Sequence, residues 1–304
     1  MEFILETNNL EKKYKDFRAL NHANIHIEKW AIYGLVGKNG AGKTTLIRII
    51  CGLQEPTSGT YKIYGVKNSD REIVNARKRM GAIIETPAIY RDLTAKDNLI
   101  EQLKLVGIPG QEDVDDLLRL VGLENTGKKK AKNFSLGMKQ RLGIALALAS
   151  SPDFLILDEP INGLDPQGII EIRELILKLN KEKRITILIS SHYLDELSKI
   201  ATHYGFLDNG SIIKEISSSE LTKKMEHKIE LKVNNQQDFV MYFEENKISY
   251  EVIDNKTIYV YGKYNLSKFV SGLSKKDLIA EEIHVVEESL ENYYMNLIGG
   301  GQID

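Results

Sequence analysis

The sequence predicts an α/β fold, a mostly parallel sheet with helices on its faces, joined at its C-terminal end to a smaller α+β domain. Three observations predict it. Short, continuously apolar runs of strand length alternate with longer stretches of helical period. A glycine-rich loop stands between the first such run and the first helix. After about residue 226, lysine, asparagine and tyrosine become more frequent and the apolar pattern turns to strict alternation.

Residues 31–36 are a continuous apolar run and read as a buried strand, and residues 43–52 read as the helix that follows it. Further buried strands are predicted at 81–84, 154–157 and 185–189. The helical patterns at 99–106, 114–121, 136–149 and 168–179 separate them, the arrangement of a parallel sheet with crossover helices. Near the end of this part, 204–207 and 211–213 flank Asp208-Asn209-Gly210, and Asn-Gly between two apolar runs marks a tight hairpin. Ser217-Ser218-Ser219-Glu220 reads as a polar connection opening a short helix.

The remainder reads as a strand at 229–233, a helix at 239–245 and a hairpin of 250–253 and 257–261 around Asp254-Asn255-Lys256. A helix at 266–273 and a strand at 283–286 follow. The expected organisation is a first domain over 1–216, a linker over 217–226 and an accessory α+β domain over 227–304. The accessory part carries no catalytic motif, and no internal repeat or low-complexity segment interrupts the chain.

Composition narrows the function classes. With 42% apolar or aromatic residues across 304, the chain can bury a sizeable core. A formal net charge of −2 gives no basic bias, so wholesale nucleic-acid binding is not expected. The single cysteine, Cys51, cannot close an intrachain disulfide and reads as a small buried hydrophobe. The start, Met1-Glu2-Phe3-Ile4, lacks the pattern of a signal peptide, and no apolar run reaches the length of a membrane span. A cytoplasmic chain is expected, one that reaches a membrane only through a partner. Lys128-Lys129-Lys130 reads as a solvated loop.

Gly37-Lys38-Asn39-Gly40-Ala41-Gly42-Lys43-Thr44 fits the phosphate-loop pattern G-x-x-x-x-G-K-[ST] between a predicted strand and a predicted helix. The chemistry needs these residue types. Glycines let the backbone wrap a phosphate with several N–H groups turned inward, and the helix N-terminus adds a favourable field. Lys43 can reach the β- and γ-phosphates of ATP, and the Thr44 hydroxyl can ligate Mg²⁺. A second acidic element, Asp158-Glu159, ends the apolar run at 154–157, on the edge where open α/β sheets bind ligands. Asp158 can hold Mg²⁺, directly or through water, and Glu159 can take a proton from an attacking water.

Between the two lies Ser135-Leu136-Gly137-Met138-Lys139-Gln140-Arg141, by local physics a helix start with Ser135 as cap. The wording strongly resembles the signature loop of ABC ATPases. In the same order along the chain, Asn162-Gly163-Leu164-Asp165 resembles that family's D-loop and Ser190-Ser191-His192 its switch-histidine loop. Tyr14 stands where the family places an aromatic under the adenine.

These motifs cover roughly residues 1–215. The resemblance implies a phosphate-loop NTPase core with an antiparallel β subdomain and a helical subdomain. It implies ATP and Mg²⁺ as cofactors, with nucleotide contacts from Tyr14, Gly37, Asn39, Gly40, Gly42, Lys43, Thr44 and Thr45. It further implies a head-to-tail dimer around two ATPs, in which Ser135 and Gly137 touch the other subunit's γ-phosphate, and it adds Asp165 of the D-loop to the nucleotide-binding residues. Catalytic roles fall to Glu159 and His192. The membrane-spanning permease is expected to be a separate chain, with this subunit peripheral on the inner face of the membrane.

One departure from the usual pattern narrows the resemblance. Most of the family carries glutamine at the end of the strand before the helical subdomain, where this chain has Glu85 in Ile83-Ile84-Glu85-Thr86-Pro87. Glutamate there, the signature wording and the C-terminal Glu288-Ser289-Leu290-Glu291-Asn292-Tyr293-Tyr294 resemble the exporter ATPases of lantibiotic immunity and bacitracin resistance. That resemblance implies an antimicrobial peptide as cargo and makes Glu85 a candidate Mg²⁺ ligand and catalytic residue. Export of a lipid or polysaccharide is the alternative. A non-transport ABC protein is disfavoured by the single phosphate loop and the short stretch from Gly52 to Ser135.

Overall fold

The structure is a computed structural model that describes residues 2–108, 114–224, 227–262, 264–287 and 289–299. It divides into two compact units, residues 1–218 and 219–304.

The first unit opens with strands β1 (Phe3–Tyr14), β2 (Phe17–Ala23), β3 (His26–Glu28) and β4 (Ile32–Val36). Helix α1 (Lys43–Ile50), strands β5 (Ser58–Ile63) and β6 (Val66–Lys67), helix α2 (Ile73–Lys78) and strand β7 (Met80–Ile83) follow. Three helices come next, α3 (Ala95–Val106), α4 (Val114–Leu120) and α5 (Leu136–Leu148). The unit closes with β8 (Phe154–Asp158), α6 (Pro166–Lys183), β9 (Thr186–Ser191), α7 (Leu194–Ser198), β10 (His203–Asp208) and β11 (Ser211–Ser217).

The central sheet has the order β11-β10-β4-β9-β8-β7, parallel throughout except for the β10–β11 hairpin. Every residue of β4, β8 and β9 is buried, which is why these segments read as unbroken apolar runs rather than alternating ones. A second sheet, β2-β1-β5-β6 with β3 also on β1, is antiparallel and packs with α1 and the central sheet into one apolar cluster. Leu46, Ile47, Ile49 and Ile50 put α1 at the middle of that cluster.

Helices α3, α4 and α5 pack on one another and form the helical part of the unit. Thr94 caps α3 with a full capping box: its side chain accepts from the Asp97 N–H while the Asp97 carboxylate accepts from the Thr94 N–H. The start of α6 is fixed by Asp165, whose carboxylate accepts from the Gly168 N–H, with Pro166 at the first helical position.

The second unit comprises helix α8 (Ser218–Lys224), strand β12 (His227–Lys232), helix α9 (Gln236–Glu245) and strands β13 (Tyr250–Val252) and β14 (Thr257–Tyr261). Helix α10 (Leu266–Ser274), strand β15 (Glu282–Glu287) and helix α11 (Leu290–Ile298) complete it. Its sheet runs β13-β14-β12-β15 with every neighbouring pair antiparallel. The β-α-β-β-α-β order with this strand arrangement is a double split βαβ fold. Phe239, Phe243, Phe269 and Leu273 of α9 and α10 close one face over Ile229, Leu231, Ile258 and Val260. Residues 218–224, within the stretch expected to be a linker, are the helix α8; residues 225 and 226 of that stretch lie outside the described residues.

Candidate functional site

The topology brings four chain segments to one edge of the central sheet. The loop after β4, the turn after β8, the turn after β9 and the loop after β7 all leave the carboxyl ends of parallel strands. Strand β9 sits between β4 and β8, so Ser190 pairs with both Leu35 and Asp158. Elements far apart in sequence thereby become neighbours.

Residues 37–42 form the phosphate-loop turn. Gly42 has φ 112°, and a Cβ there would stand 2.5 Å from the Ala19 carbonyl oxygen, so only glycine fits the position. A Cβ on Gly37 would come 2.7 Å from the Leu207 carbonyl oxygen. The first turn of α1 has no side-chain cap and no acidic residue, which leaves its N–H groups facing the loop.

Lys43, with 6% of its side chain exposed, folds back over this loop. Its Nζ donates to the Gly37 carbonyl at 2.5 Å and to the Lys38 carbonyl at 3.3 Å, and lies 3.2 Å from Glu159 Oε1. The other carboxylate oxygen of Glu159 is 2.7 Å from His192 Nδ1. An ionised carboxylate only accepts, so the proton of that bond sits on the imidazole. The Tyr193 ring lies against the His192 ring with centroids 4.2 Å apart. Glu159 adopts φ 50°, left-handed for a residue with a Cβ, held by bonds from its N–H to the Ser190 carbonyl and Ser190 Oγ at 3.1 and 3.0 Å.

Below this line sits a pair of oxygen donors. Thr44 Oγ1 donates to Asp158 Oδ2 at 2.9 Å, and Ser190 Oγ donates to Asp158 Oδ1 at 2.5 Å. Mg²⁺ takes few protein oxygens and completes its shell with phosphate and water. A hydroxyl and a buried carboxylate side by side, next to an ammonium and a helix N-terminus, fit that ion together with a nucleotide phosphate.

The other expected residues lie elsewhere. Glu85 does not join the Thr44–Asp158 pair. Its side chain is 60% exposed and its Oε1 accepts from Arg48 Nη2 at 2.6 Å. The physical reason is that a solvated carboxylate takes a strong donor close by, here the Arg48 guanidinium, while the backbone at Glu85 holds φ 61°. Tyr14 stands exposed at the end of β1, with Lys12 Nζ 5.2 Å from its ring centroid and its hydroxyl bonded to Gln54 Oε1 at 2.5 Å.

Ser135 caps α5, its Oγ accepting from the Met138 N–H at 3.2 Å. The signature turn packs on the turn at 162–168: a Cβ on Gly137 would lie 3.9 Å from Leu164 Cδ2, and one on Gly163 3.2 Å from Leu136 Cδ2. The described contacts of Ser135, Gly137 and Asp165 are thus with each other's turns rather than with residues 37–45. Asn39 and Gly40 are exposed on the loop, and Thr45 follows Thr44 on α1. Two participants escape a motif reading, Tyr193, which backs His192, and Arg48, which holds Glu85, while Ser190, within the motif, orders both acidic residues in a way the motif does not say.

Residues 20–162 match the family described as ABC transporter. The chain is 42% identical over its full length to the whole of a bacitracin transport ATP-binding protein of Bacillus licheniformis. It is 45% identical to a lantibiotic transport ATP-binding protein of Streptococcus pyogenes, over 71% of this chain and 93% of that one. Among solved structures, a dimeric post-hydrolysis state of the ATP-binding cassette MJ0796 bound to ADP and Pi matches with a TM-score of 0.63 at 26% identity. It covers 70% of this chain and 98% of that one.

Proposed function

The chain belongs to the ABC transporter family as an ATP-hydrolysing subunit homologous to those of bacitracin and lantibiotic transport, and from that premise we propose that it drives export of an antimicrobial peptide through separate permease chains. Two copies close head to tail around two ATPs, residues 1–216 carry the ATPase work, and residues 227–304 form the accessory domain. The observation that carries the reading is the line Lys43–Glu159–His192, whose first two members are chain neighbours of the Thr44–Asp158 pair.

Each residue has a task there. Gly37, Asn39, Gly40 and Gly42 shape the loop that wraps the phosphates, and Lys43 turns from Glu159 to the β- and γ-phosphates. Mg²⁺, when bound, would offset the charge of the phosphate oxygens. Thr44 and Asp158 would hold it, and Thr45 continues the first turn of α1 after Thr44. Glu159, freed from Lys43, accepts the proton of the attacking water, and His192 with Tyr193 behind it fixes that carboxylate. Ser135, Gly137 and Asp165 of the second copy present a capped helix start to the γ-phosphate, and Tyr14 stacks on the adenine.

Among the described residues no helix is long and apolar enough to cross a membrane, so the permease contact belongs to the surface. We place it at residues 87–93. Tyr90 is 53% exposed there, and the buried Asn98 pins its backbone by accepting from the Tyr90 N–H at 2.8 Å and donating to the Tyr90 carbonyl at 3.0 Å. The test is a sensitive strain that carries this chain with its membrane protein. Lys43→Ala should abolish resistance to the peptide. Tyr90→Asp should strip the subunit from the membrane fraction while its own ATPase rate stays near that of the unchanged chain. Resistance that survives Lys43→Ala would sink the reading.

A further inference from the structure

Two groups at the same stretch of α1 bear on Glu85, and its side chain bonds only the first. The first is the guanidinium of Arg48, already bonded at 2.6 Å. The second is the oxygen pair of Thr44 and Asp158. Thr44 and Arg48 are four residues apart on α1, hence on one helix face and about 5–6 Å apart at their Cβ atoms. The backbone of Glu85 is in the left-handed region at φ 61°, a conformation that a residue with a Cβ keeps only when its surroundings hold it. The loop is also coupled to the signature helix: a Cβ on Gly143 of α5 would stand 2.5 Å from Pro87, two residues beyond Glu85.

We propose that Arg48 is a positioning residue that holds Glu85 off the Mg²⁺ site and surrenders it when the metal enters beside Thr44 and Asp158. The proposal rests on the reading of Glu85 as a side chain that reaches the metal. Its chemistry is a competition between two cations for one carboxylate. Arg48 is 36% and Glu85 60% exposed, so water screens the pair and makes it a weak tie. A weak tie suits a switch, since a divalent ion one helical turn away can outbid it. Glutamine at position 85 would be neutral and bond the guanidinium far less strongly, so the latch depends on the glutamate that this chain carries.

The test is a Mg²⁺ titration of fluorescent ATP-analogue binding to the full chain, for the unchanged protein, Arg48→Met, Glu85→Gln and the double variant. Amide exchange of residues 83–87 without nucleotide is measured alongside. Arg48→Met should lower the half-saturating Mg²⁺ concentration about two- to fivefold, the range expected of a partly exposed ion pair. It should also speed exchange of the loop. Glu85→Gln should raise that concentration, and Arg48→Met should add nothing in its background. Arg48→Lys should stay near the unchanged protein, and Arg48→Gln repeats the test if Arg48→Met fails to fold. Overlapping curves for Arg48→Met and the unchanged protein, with Glu85→Gln shifted, overturn the latch and leave Glu85 at the metal. An equal Arg48→Met shift in both backgrounds also overturns it, because Arg48 then acts without Glu85. An unshifted Glu85→Gln curve removes Glu85 from the metal and the latch with it.

Discussion

Lys43 and Glu159 satisfy each other across the space between the phosphate loop and β8, and on the proposed function that pairing would order events at the site. The ammonium is almost wholly buried, so it needs an anionic partner at every stage, first Glu159 and then phosphate. On the proposed function, the carboxylate would become a free base only when phosphate replaces it beside Lys43. Cys51, at the far end of α1, has the opposite character. Burial pushes its thiol up to about 12, opposed by the nearby Arg77 and reinforced by Asp158. At pH 8 its thiolate fraction is therefore small, and alkylation in the folded protein should run at least about a hundredfold slower than for an ordinary cysteine near 8.5. The proton is favoured in the folded state, so this group's stability contribution is complete below about pH 8.5 and is lost as pH rises toward 12. Timed alkylation with and without denaturant checks this; equal rates would mean that the thiol is open to solvent.

The residue scale also shows what a sequence can and cannot say. Gly37 to Thr44, Asp158, Glu159 and His192 were legible because each lies in a short local pattern at a strand end, and parallel topology sends such ends to one edge. The partner of Glu85 was not, because Arg48 lies 37 residues earlier and nothing local joins them. Ser190 orients both acidic residues through a pairing of β8 with β9, which only the assembled sheet creates.

Among elements, those with a continuous apolar run or a strong helical period were readable, including β4, β8, β9, α5 and the hairpin of β10 and β11. Strand β1 was not. Its burial alternates only in part, register shifts interrupt its pairing with β2 and β5, and it ends in Glu11-Lys12-Lys13-Tyr14. Helix α11 also went unread, since the stretch was taken only as a family ending although Ser289 caps it by accepting from the Asn292 N–H at 3.1 Å. The helix that carries the signature loop is seated by glycine. A Cβ on Gly81 of β7 would come 2.3 Å from the Ala147 carbonyl oxygen of α5, and backbone cannot step aside as a side chain can. Gly81→Ala should therefore cost about 1–3 kcal/mol of stability, as overpacking of a tight core does. Denaturant unfolding measures it, and an unchanged midpoint would show that α5 is not seated on β7.

For the whole molecule, the governing fact is a separation. Lys43, Thr44, Asp158, Glu159 and His192 gather at one sheet edge, while Ser135, Gly137 and Asp165 gather at another surface around the starts of α5 and α6. On the proposed function each cluster is one half of an ATP site, which is why the proposal requires two copies. The most direct measurement is light scattering of Glu159→Gln with ATP and Mg²⁺. This variant keeps Lys43, Thr44 and Asp158 for binding but lacks the proton acceptor, so turnover should fall at least about a hundredfold and the closed pair should persist. The account predicts the mass of one chain without nucleotide and of two chains with ATP and Mg²⁺. A single-chain mass with saturating ATP bound would contradict it.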